Sequence, residues 1–139
     1  MTDVYEFLSE FYHFEKKLNK KIKLIPHYIM REYEFFIGKE AREYKNCVSG
    51  GQFCAKAVPE LNITEPIIII HENIRQKCVL KVSDNDIDKY YNYMMSFQKS
   101  CLNKSIGVMF NKTCSNKVLK ELEIDENKVD ICITSSFKG

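Results

Sequence analysis

Apolar residues near the N-terminus recur every three or four positions, the spacing of one face of a helix. This pattern predicts a first helix over residues 3–18. Asp3, followed by Glu6 three residues later, has the arrangement of a capping box at the start of that helix. We expect the apolar and aromatic positions of the helix to lie in the core; they are Val4, Phe7, Leu8, Phe11, Phe14 and Leu18.

The pattern is less regular between residues 22 and 66. Polar and apolar residues alternate over 22–30, which predicts a strand, and Pro26 implies an edge or a bend because proline has no N–H to donate. His27 has no second histidine or paired carboxylate nearby in the sequence, so we expect a structural role for it. Charged and aromatic residues over 31–46 predict a short helix, and the glycines and prolines of 49–66 predict the main loop.

The second half of the chain carries stronger helical patterns. Ile70, Ile74 and Cys78 recur every four residues and predict a helix over 67–82, followed by a turn and a helix cap over 83–86. The next helix starts at residue 87 and runs into a cysteine at position 101. A stripe of tyrosine and methionine on it can make an adaptable partner surface, but we expect ordinary core; its members are Ile87, Tyr90, Tyr91, Met94 and Met95.

Two short helices are predicted at the C-terminus. After a loop over 102–112, they cover residues 115–122 and 125–134, and Thr113 and Asp125 are the expected N-caps. The elements together predict a mainly helical α+β protein with at most a small sheet.

Length, composition and charge agree with one globular domain. The chain has 139 residues, of which 45% are hydrophobic and 29% are charged. The net charge is +2 and the basic residues form no block, which disfavours nucleic acid or an anionic membrane as the partner. The longest apolar run, residues 67–70, is too short to span a bilayer, so we expect no direct membrane insertion.

The spacing of the cysteines and histidines argues against metal and redox chemistry. No C-x-x-C pair is present, and His13, His27 and His71 form no i, i+4 pair, so we expect no metal site and no cofactor. A catalytic motif is also absent from the sequence: we find no nucleophile elbow, phosphate loop or helical carboxylate pair.

Six cysteines are consistent either with reduced, buried thiols in a cytosolic protein or with three disulfides in an oxidising compartment. Glycosylation sequons at Asn62, Asn103 and Asn111 favour the second interpretation and hence the secretory route. Residues 1–30 have no signal-peptide pattern, so we expect the chain to be a piece of a longer precursor.

Spacing alone does not choose among the fifteen pairings that six cysteines allow. Local geometry favours Cys47–Cys54 across the turn at 49–51, and Cys101–Cys114 across the loop between two helices. Cys78 and Cys132 then remain by subtraction, and the sequence leaves their pairing open.

Three blocks of sequence resemble one family, the vacuolar sorting receptors. The first joins P-H-Y-I at residues 26–29 to N-C-V-S-G-G-Q-F-C-A at 46–55, and the second is E-N-I-R-Q-K-C-V-L-K-V at 72–82. The third covers 110–133, and all six cysteines fall on family cysteines. These blocks are similar to the luminal central region of the receptors, which implies a partial thioredoxin-like domain with a helical insertion, held by disulfides.

The resemblance also has departures. The family carries two further cysteines where this chain has Tyr33 and Glu43, and its W-Y-C-P turn is replaced by residues 31–34. The resemblance implies a single domain over 1–139, with the N-terminal helix, strand and Cys47/Cys54 loop in 1–66 and an insertion-like helical part in 67–139.

By resemblance, we expect a non-enzymatic recognition module in the secretory-pathway lumen or outside the cell. It would bind protein cargo, or neighbouring domains of a larger receptor-like chain. Arg75, Gln76 and Tyr90 are expected to be exposed candidates for ligand contact, although the resemblance assigns no ligand-binding residue. The alternatives are a structural assembly module, a thioredoxin-like thiol oxidoreductase, and a cytosolic or organellar protein with reduced cysteines.

Overall fold

The structure is a computed structural model that describes residues 2–18, 24–28, 31–32, 47–48, 53–54, 67–102 and 110–137. This part is mainly helical with a small sheet, which confirms the predicted α+β class. Its helices are α1 (Thr2–Lys17), α2 (Ile67–Val82), α3 (Ile87–Phe97), α4 (Lys112–Glu121) and α5 (Glu126–Ser136), with a π-helical turn at Gln98–Leu102. Its strands are β1 (Arg31–Glu32), β2 (Cys47–Val48) and β3 (Phe53–Cys54).

The helix α2 lies at the centre of the core. It packs against α3 and α5, while α1 and α4 pack against α3. The most deeply buried side chains come from α2 to α5 and the π-helical turn, and each removes a large apolar area from water. They include Val79, Tyr91, Tyr93, Phe97, Cys101, Val118, Leu119 and Val129, all exposed by 1% or less.

The connection between α2 and α3 is set by local turn chemistry. Asp84 and Asn85 have φ angles of 55° and 61°, a conformation that aspartate and asparagine tolerate better than most residues. The side chain of Asp86 then accepts hydrogen bonds from the backbone N–H groups of Asp88 and Lys89 and caps α3. The predicted turn and cap are confirmed.

The N-cap of α5 is Asp125, as the sequence predicts, but the N-cap of α4 differs from the prediction. Helix α4 begins at Lys112 rather than at residue 115, and its N-cap is Asn111 rather than Thr113. Asn111 has an extended backbone and its Oδ1 accepts from the N–H of Thr113 at 2.8 Å, so Thr113 already lies inside the helix.

Helix α1 confirms the predicted span, but the predicted inward face is wrong in part. The helix begins at Thr2, so Asp3 lies within it. Tyr5 and Leu8 are buried, whereas Val4, Phe7 and Phe14 of the predicted core stripe are 57%, 59% and 64% exposed.

The buried face of α1 is selected by its contacts with α3 and with the polar groups beneath it. The ring of Tyr12 lies 4.7 Å from that of Tyr91, and Glu15 is only 4% exposed. Tyrosine has an apolar ring and a polar tip, so it suits this mixed surface better than phenylalanine. Phe11 and Leu18 of the predicted stripe are half-buried.

The sheet departs from the sequence prediction. Residues 24–28 form no strand, and β1 lies at 31–32, where a helix was predicted. Strand β3 lies inside the predicted loop and pairs antiparallel with β1 and β2. The remaining residues of the predicted elements 22–30, 31–46 and 49–66 lie outside the described part. Pro26 lacks a ladder donor, which agrees with the irregular backbone around it.

Three disulfides join the six cysteines. Cys47–Cys54 links directly opposed residues of β2 and β3, with Cα atoms 4.0 Å apart. Cys101–Cys114 ties the π-helical turn to α4, and Cys78–Cys132 ties α2 to α5. These are the two pairs favoured by local geometry and the pair left by subtraction.

Candidate functional site

A buried carboxylate lies where α2, α3 and α4 meet. Glu72 is 0% exposed and accepts four hydrogen bonds. Arg75 Nη1 and Ser115 Oγ each donate to its Oε2 at 2.8 Å, and the Tyr93 hydroxyl and Gln76 Nε2 donate to Oε1 at 2.9 and 3.3 Å. Two carboxylate oxygens offer about four acceptor positions, so the ion is fully coordinated by protein donors.

A tyrosine from the N-terminal part extends this cluster. The Tyr28 hydroxyl donates to Gln76 Oε1 at 2.7 Å, and it lies 2.9 Å from the Tyr90 hydroxyl in a second hydrogen bond. The segment 24–28 is thereby fastened to α2 and α3 although it has no ladder hydrogen bonds of its own.

The expectation that Arg75, Gln76 and Tyr90 are exposed is wrong. They are 4%, 3% and 2% exposed and serve the buried cluster. A charged or amide side chain is buried at tolerable cost only when it is paired, and Glu72 and Tyr28 supply those partners.

Burial governs the titration of this region. It raises the pKa of Glu72 above the ordinary 4.5, while the Arg75 guanidinium and the hydrogen bonds from Ser115 and Tyr93 act in the opposite direction. Burial also raises the pKa of five tyrosines, to about 12 for Tyr91; they are Tyr5, Tyr28, Tyr90, Tyr91 and Tyr93. With no solvent access and no free lone pair, Glu72 holds helices together rather than serving as a base.

A groove of about 700 Å³ opens beside the cluster, within the range of roughly 300–1,000 Å³ usual for binding sites. It lies between α2, α5 and the segment 24–28. Its lining is mostly apolar and includes Leu24, Ile25, Pro26, Val48, Ile74, Cys78, Leu80, Ile87, Cys132 and Phe137. We call this feature the α2–α5 groove.

The charged side chains that line the α2–α5 groove are basic. Lys77 and Lys81 are exposed on α2, one helical turn apart, and neither forms an ion pair within the described ranges. His27, also exposed, adds an imidazole from the segment 24–28. The described lining residues include no carboxylate, so the groove presents positive charge beside an apolar floor.

The segment 24–28 joins the buried cluster to the groove. Leu24, Ile25, Pro26 and His27 form one wall, and the next residue, Tyr28, hydrogen bonds to Gln76. The Cys78–Cys132 disulfide crosses between α2 and α5 and lines the groove. The wall and the floor are therefore held by contacts that join distant parts of the chain.

The other residues singled out from the sequence lie apart from the groove. Asn111 is exposed at the start of α4, while Asn62 and Asn103 lie outside the described residues. Within the described ranges, no group of three or more histidine, cysteine or acidic residues is arranged to hold a metal ion. No helix of the described part combines the length and apolar character needed to cross a membrane.

Sequence reasoning missed the central polar residue. Glu72, Arg75 and Gln76 occupy positions i, i+3 and i+4 and therefore share one face of α2. This spacing is the feature of the sequence that indicates a polar cluster on α2. No local signal links Ser115 or Tyr93 to it, because those contacts span 43 and 21 residues.

Comparison with known proteins agrees with this architecture. Residues 2–138 match the model of the vacuolar sorting receptor thioredoxin-like domain. The chain is 31% identical to vacuolar-sorting receptor 1 of Pisum sativum over 92% of its length, and 32% identical to vacuolar-sorting receptor 4 of Arabidopsis thaliana over 78%. These alignments cover 21% and 18% of the two relatives, so the chain spans about a fifth of their length. This chain belongs to the vacuolar sorting receptor thioredoxin-like domain family.

Proposed function

We propose that this chain is a non-enzymatic recognition module of a vacuolar sorting receptor-like protein and contributes to binding of soluble protein cargo. The observation that carries the proposal is the α2–α5 groove. It offers an apolar floor of suitable volume, a wall fastened to α2 and α3 by Tyr28, and two lysines without an ion pair among the described residues. Binding sites for small ligands and peptide side chains share these properties.

The state of the sulfur atoms supports binding rather than thiol chemistry. All six cysteines are in disulfides, and Cys78 and Cys101 are 2% and 0% exposed. A thiol oxidoreductase requires an accessible thiolate of low pKa, usually beside its resolving cysteine. The described cysteines instead join separate elements, as structural cross-links do.

The oxidised state also supports a location in the secretory-pathway lumen or outside the cell. The proposal includes glycan attachment at Asn62, Asn103 and Asn111. At Asn111 the Oδ1 atom is used for the N-cap of α4, and the exposed side chain leaves the amide nitrogen for the sugar. A mass shift on treatment with an amide-cleaving glycosidase would test this part.

A structural assembly module is the second candidate, and the exposed face of α1 favours it. Val4, Phe7 and Phe14 are each more than half exposed, and the rings of Phe7 and Phe11 stack 5.7 Å apart. Large exposed apolar patches mark interaction sites, so these side chains favour an assembly role. Assembly predicts one fixed partner on α1, whereas cargo recognition predicts reversible binding in the groove.

A displayed library of random short peptides tests the proposal. The oxidised chain is used for selection, and the affinities of enriched peptides are then measured by fluorescence anisotropy. Ile25→Glu places a charge in the groove at a residue that is 57% exposed, so the fold should tolerate it. We expect binding to weaken about tenfold or more, since the apolar contact is lost.

Ile131→Glu is the matched control. Ile131 is 70% exposed on α5 and does not line the groove, so its replacement should change affinity less than about twofold. Failure to enrich any peptide, or equal loss of affinity in both variants, would contradict recognition through the α2–α5 groove.

A further inference from the structure

We propose that the α2–α5 groove recognises an extended protein segment in which acidic side chains alternate with apolar ones. This inference deepens the proposed function and rests on it, because it specifies the chemistry of the cargo segment. Two observations carry it: the composition of the groove, and the spacing of its two lysines.

The first observation is charge complementarity. Lys77 and Lys81 lie along the edge of an apolar floor, and the described lining contains no carboxylate to neutralise them. An acidic segment gains attraction there, whereas a basic one meets like charge. The long, flexible lysine stems allow the ammonium groups to follow carboxylates at the edge of the groove.

The second observation is that the spacing of the two lysines matches the spacing of alternate side chains in an extended peptide. Side chains four positions apart on a helix, such as Lys77 and Lys81, have Cβ atoms about 5–6 Å apart. In an extended chain, alternate side chains are about 6.6 Å apart, because each residue advances roughly 3.3 Å. Two acidic residues separated by one position therefore match the two lysines.

The alternation of side chains in an extended peptide also allows it to contact the apolar lining of the groove. Successive side chains of a strand point to opposite sides, so the residues between the acids face the other way. With the carboxylates turned towards the lysines of α2, the intervening apolar side chains face the wall formed by Leu24, Ile25 and Pro26. Recognition of extended peptides commonly relies on such pockets for alternate side chains.

The test measures anisotropy of three labelled peptides with amidated C-termini: alternating Glu and Leu flanked by serine, the same peptide with Gln for Glu, and with Lys for Glu. The Glu peptide should bind about tenfold more tightly than the Gln peptide at low salt, and the Lys peptide should bind most weakly. The preference for Glu should decrease as salt is raised, since both lysines are exposed.

The test variant is Lys77→Glu with Lys81→Glu, and Lys89→Glu is the charge-reversal control. Lys89 is exposed on α3 outside the groove. The double variant should lose about tenfold in affinity for the Glu peptide and the control less than about twofold. Far-ultraviolet circular dichroism verifies folding, and the salt dependence of the unmodified chain tests the same claim without any substitution.

The outcomes separate the two proposals. If library-selected peptides bind in the groove but the Glu and Gln peptides bind equally, the acidic specificity is wrong and the recognition function stands. If a peptide lacking Glu but carrying a free C-terminal carboxylate binds as tightly through the same lysines, the assignment to acidic side chains is overturned. If neither selected peptides nor the Glu peptide bind, the proposed function fails as well.

Discussion

Disruption of the buried ion pair between Glu72 and Arg75 should be among the most damaging single changes to the described core. Both side chains are almost completely buried, at 0% and 5% exposure, and their atoms lie 2.8 Å apart. Replacing Arg75 by Met leaves a buried carboxylate with only neutral donors, and replacing Glu72 by Gln leaves a buried guanidinium without a counter-ion. Loss of one partner of such a pair costs about 3–5 kcal/mol.

The double variant distinguishes an ion pair from two independent contributions. With both charges removed, neither ion remains buried alone, so Glu72→Gln with Arg75→Met should be clearly more stable than the sum of the two losses predicts. The assay is equilibrium urea unfolding followed by circular dichroism with the disulfides intact. Lys117→Ala, which removes an exposed pair with Glu121, is the control and should cost less than about 1 kcal/mol.

The pH dependence of the stability of the Arg75→Met variant tests the same ion pair. Removing the cation raises the pKa of the buried Glu72 carboxyl further above the unfolded value of 4.5. The native state then binds a proton more readily than the unfolded state, so the variant gains stability as the pH falls towards 4.5. Losses of unfolding free energy below about 1 kcal/mol in the single variants, or strictly additive losses in the double variant, would show that Glu72 is not a buried, paired ion.

Three further predictions concern caps, cross-links and tyrosines. Asp125→Ala removes the N-cap of α5 and should lower the free energy of unfolding by about 1 kcal/mol, measured by urea titration; no change would argue against the cap. Replacing Cys78 and Cys132 by alanine should lower the free energy of unfolding by about 4 kcal/mol, and replacing Cys101 and Cys114 should lower it by about 3 kcal/mol. The first loss is larger because that disulfide closes the longer loop, and the reverse order would contradict this chain-entropy reasoning. In an alkaline titration of tyrosinate absorbance, the five tyrosines of the described part with raised pKa values should ionise late. Stability should fall as the pH rises past 10, since the unfolded chain releases those protons first; normal titration of every tyrosine would refute the burial.

Helix boundaries with local causes were predictable from the sequence. The periodicity of 67–82 and the acidic caps at positions 86 and 125 depend on residues within one or two turns, and the structure confirms them. The start of α4 was missed because Asn111 and Thr113 are both good N-cap residues, and the sequence does not show which has the extended backbone.

The orientation of α1 depends on tertiary contacts. Phenylalanines at positions 7 and 14 are more hydrophobic than Tyr5 and Tyr12, yet the tyrosines face the core: Tyr5 lies beside Gln76, and the ring of Tyr12 packs on that of Tyr91. Arg75 and Gln76 were predicted to be exposed because polar side chains usually lie at the surface. Their burial depends on Glu72 and Tyr28, and hydrogen bonds across 48 residues leave no local pattern.

The candidate site was the least predictable feature. The α2–α5 groove combines residues 24–27 with residues 74–87 and 132–137, which are separated along the chain. The sequence indicated a disulfide-held member of a receptor family. It did not indicate where two exposed lysines and an apolar floor would meet, since that depends on the packing of α5 against α2.

We propose that cargo segments bind in the α2–α5 groove of an oxidised scaffold. The most direct measurement is a nuclear magnetic resonance titration of the isotope-labelled chain with a library-selected peptide. The account predicts shifts at Ile25, Ile74 and Phe137, with little change on the exposed face of α1. Shifts confined to Phe7 and Phe14, with the groove unaffected, would contradict the account and favour an assembly surface.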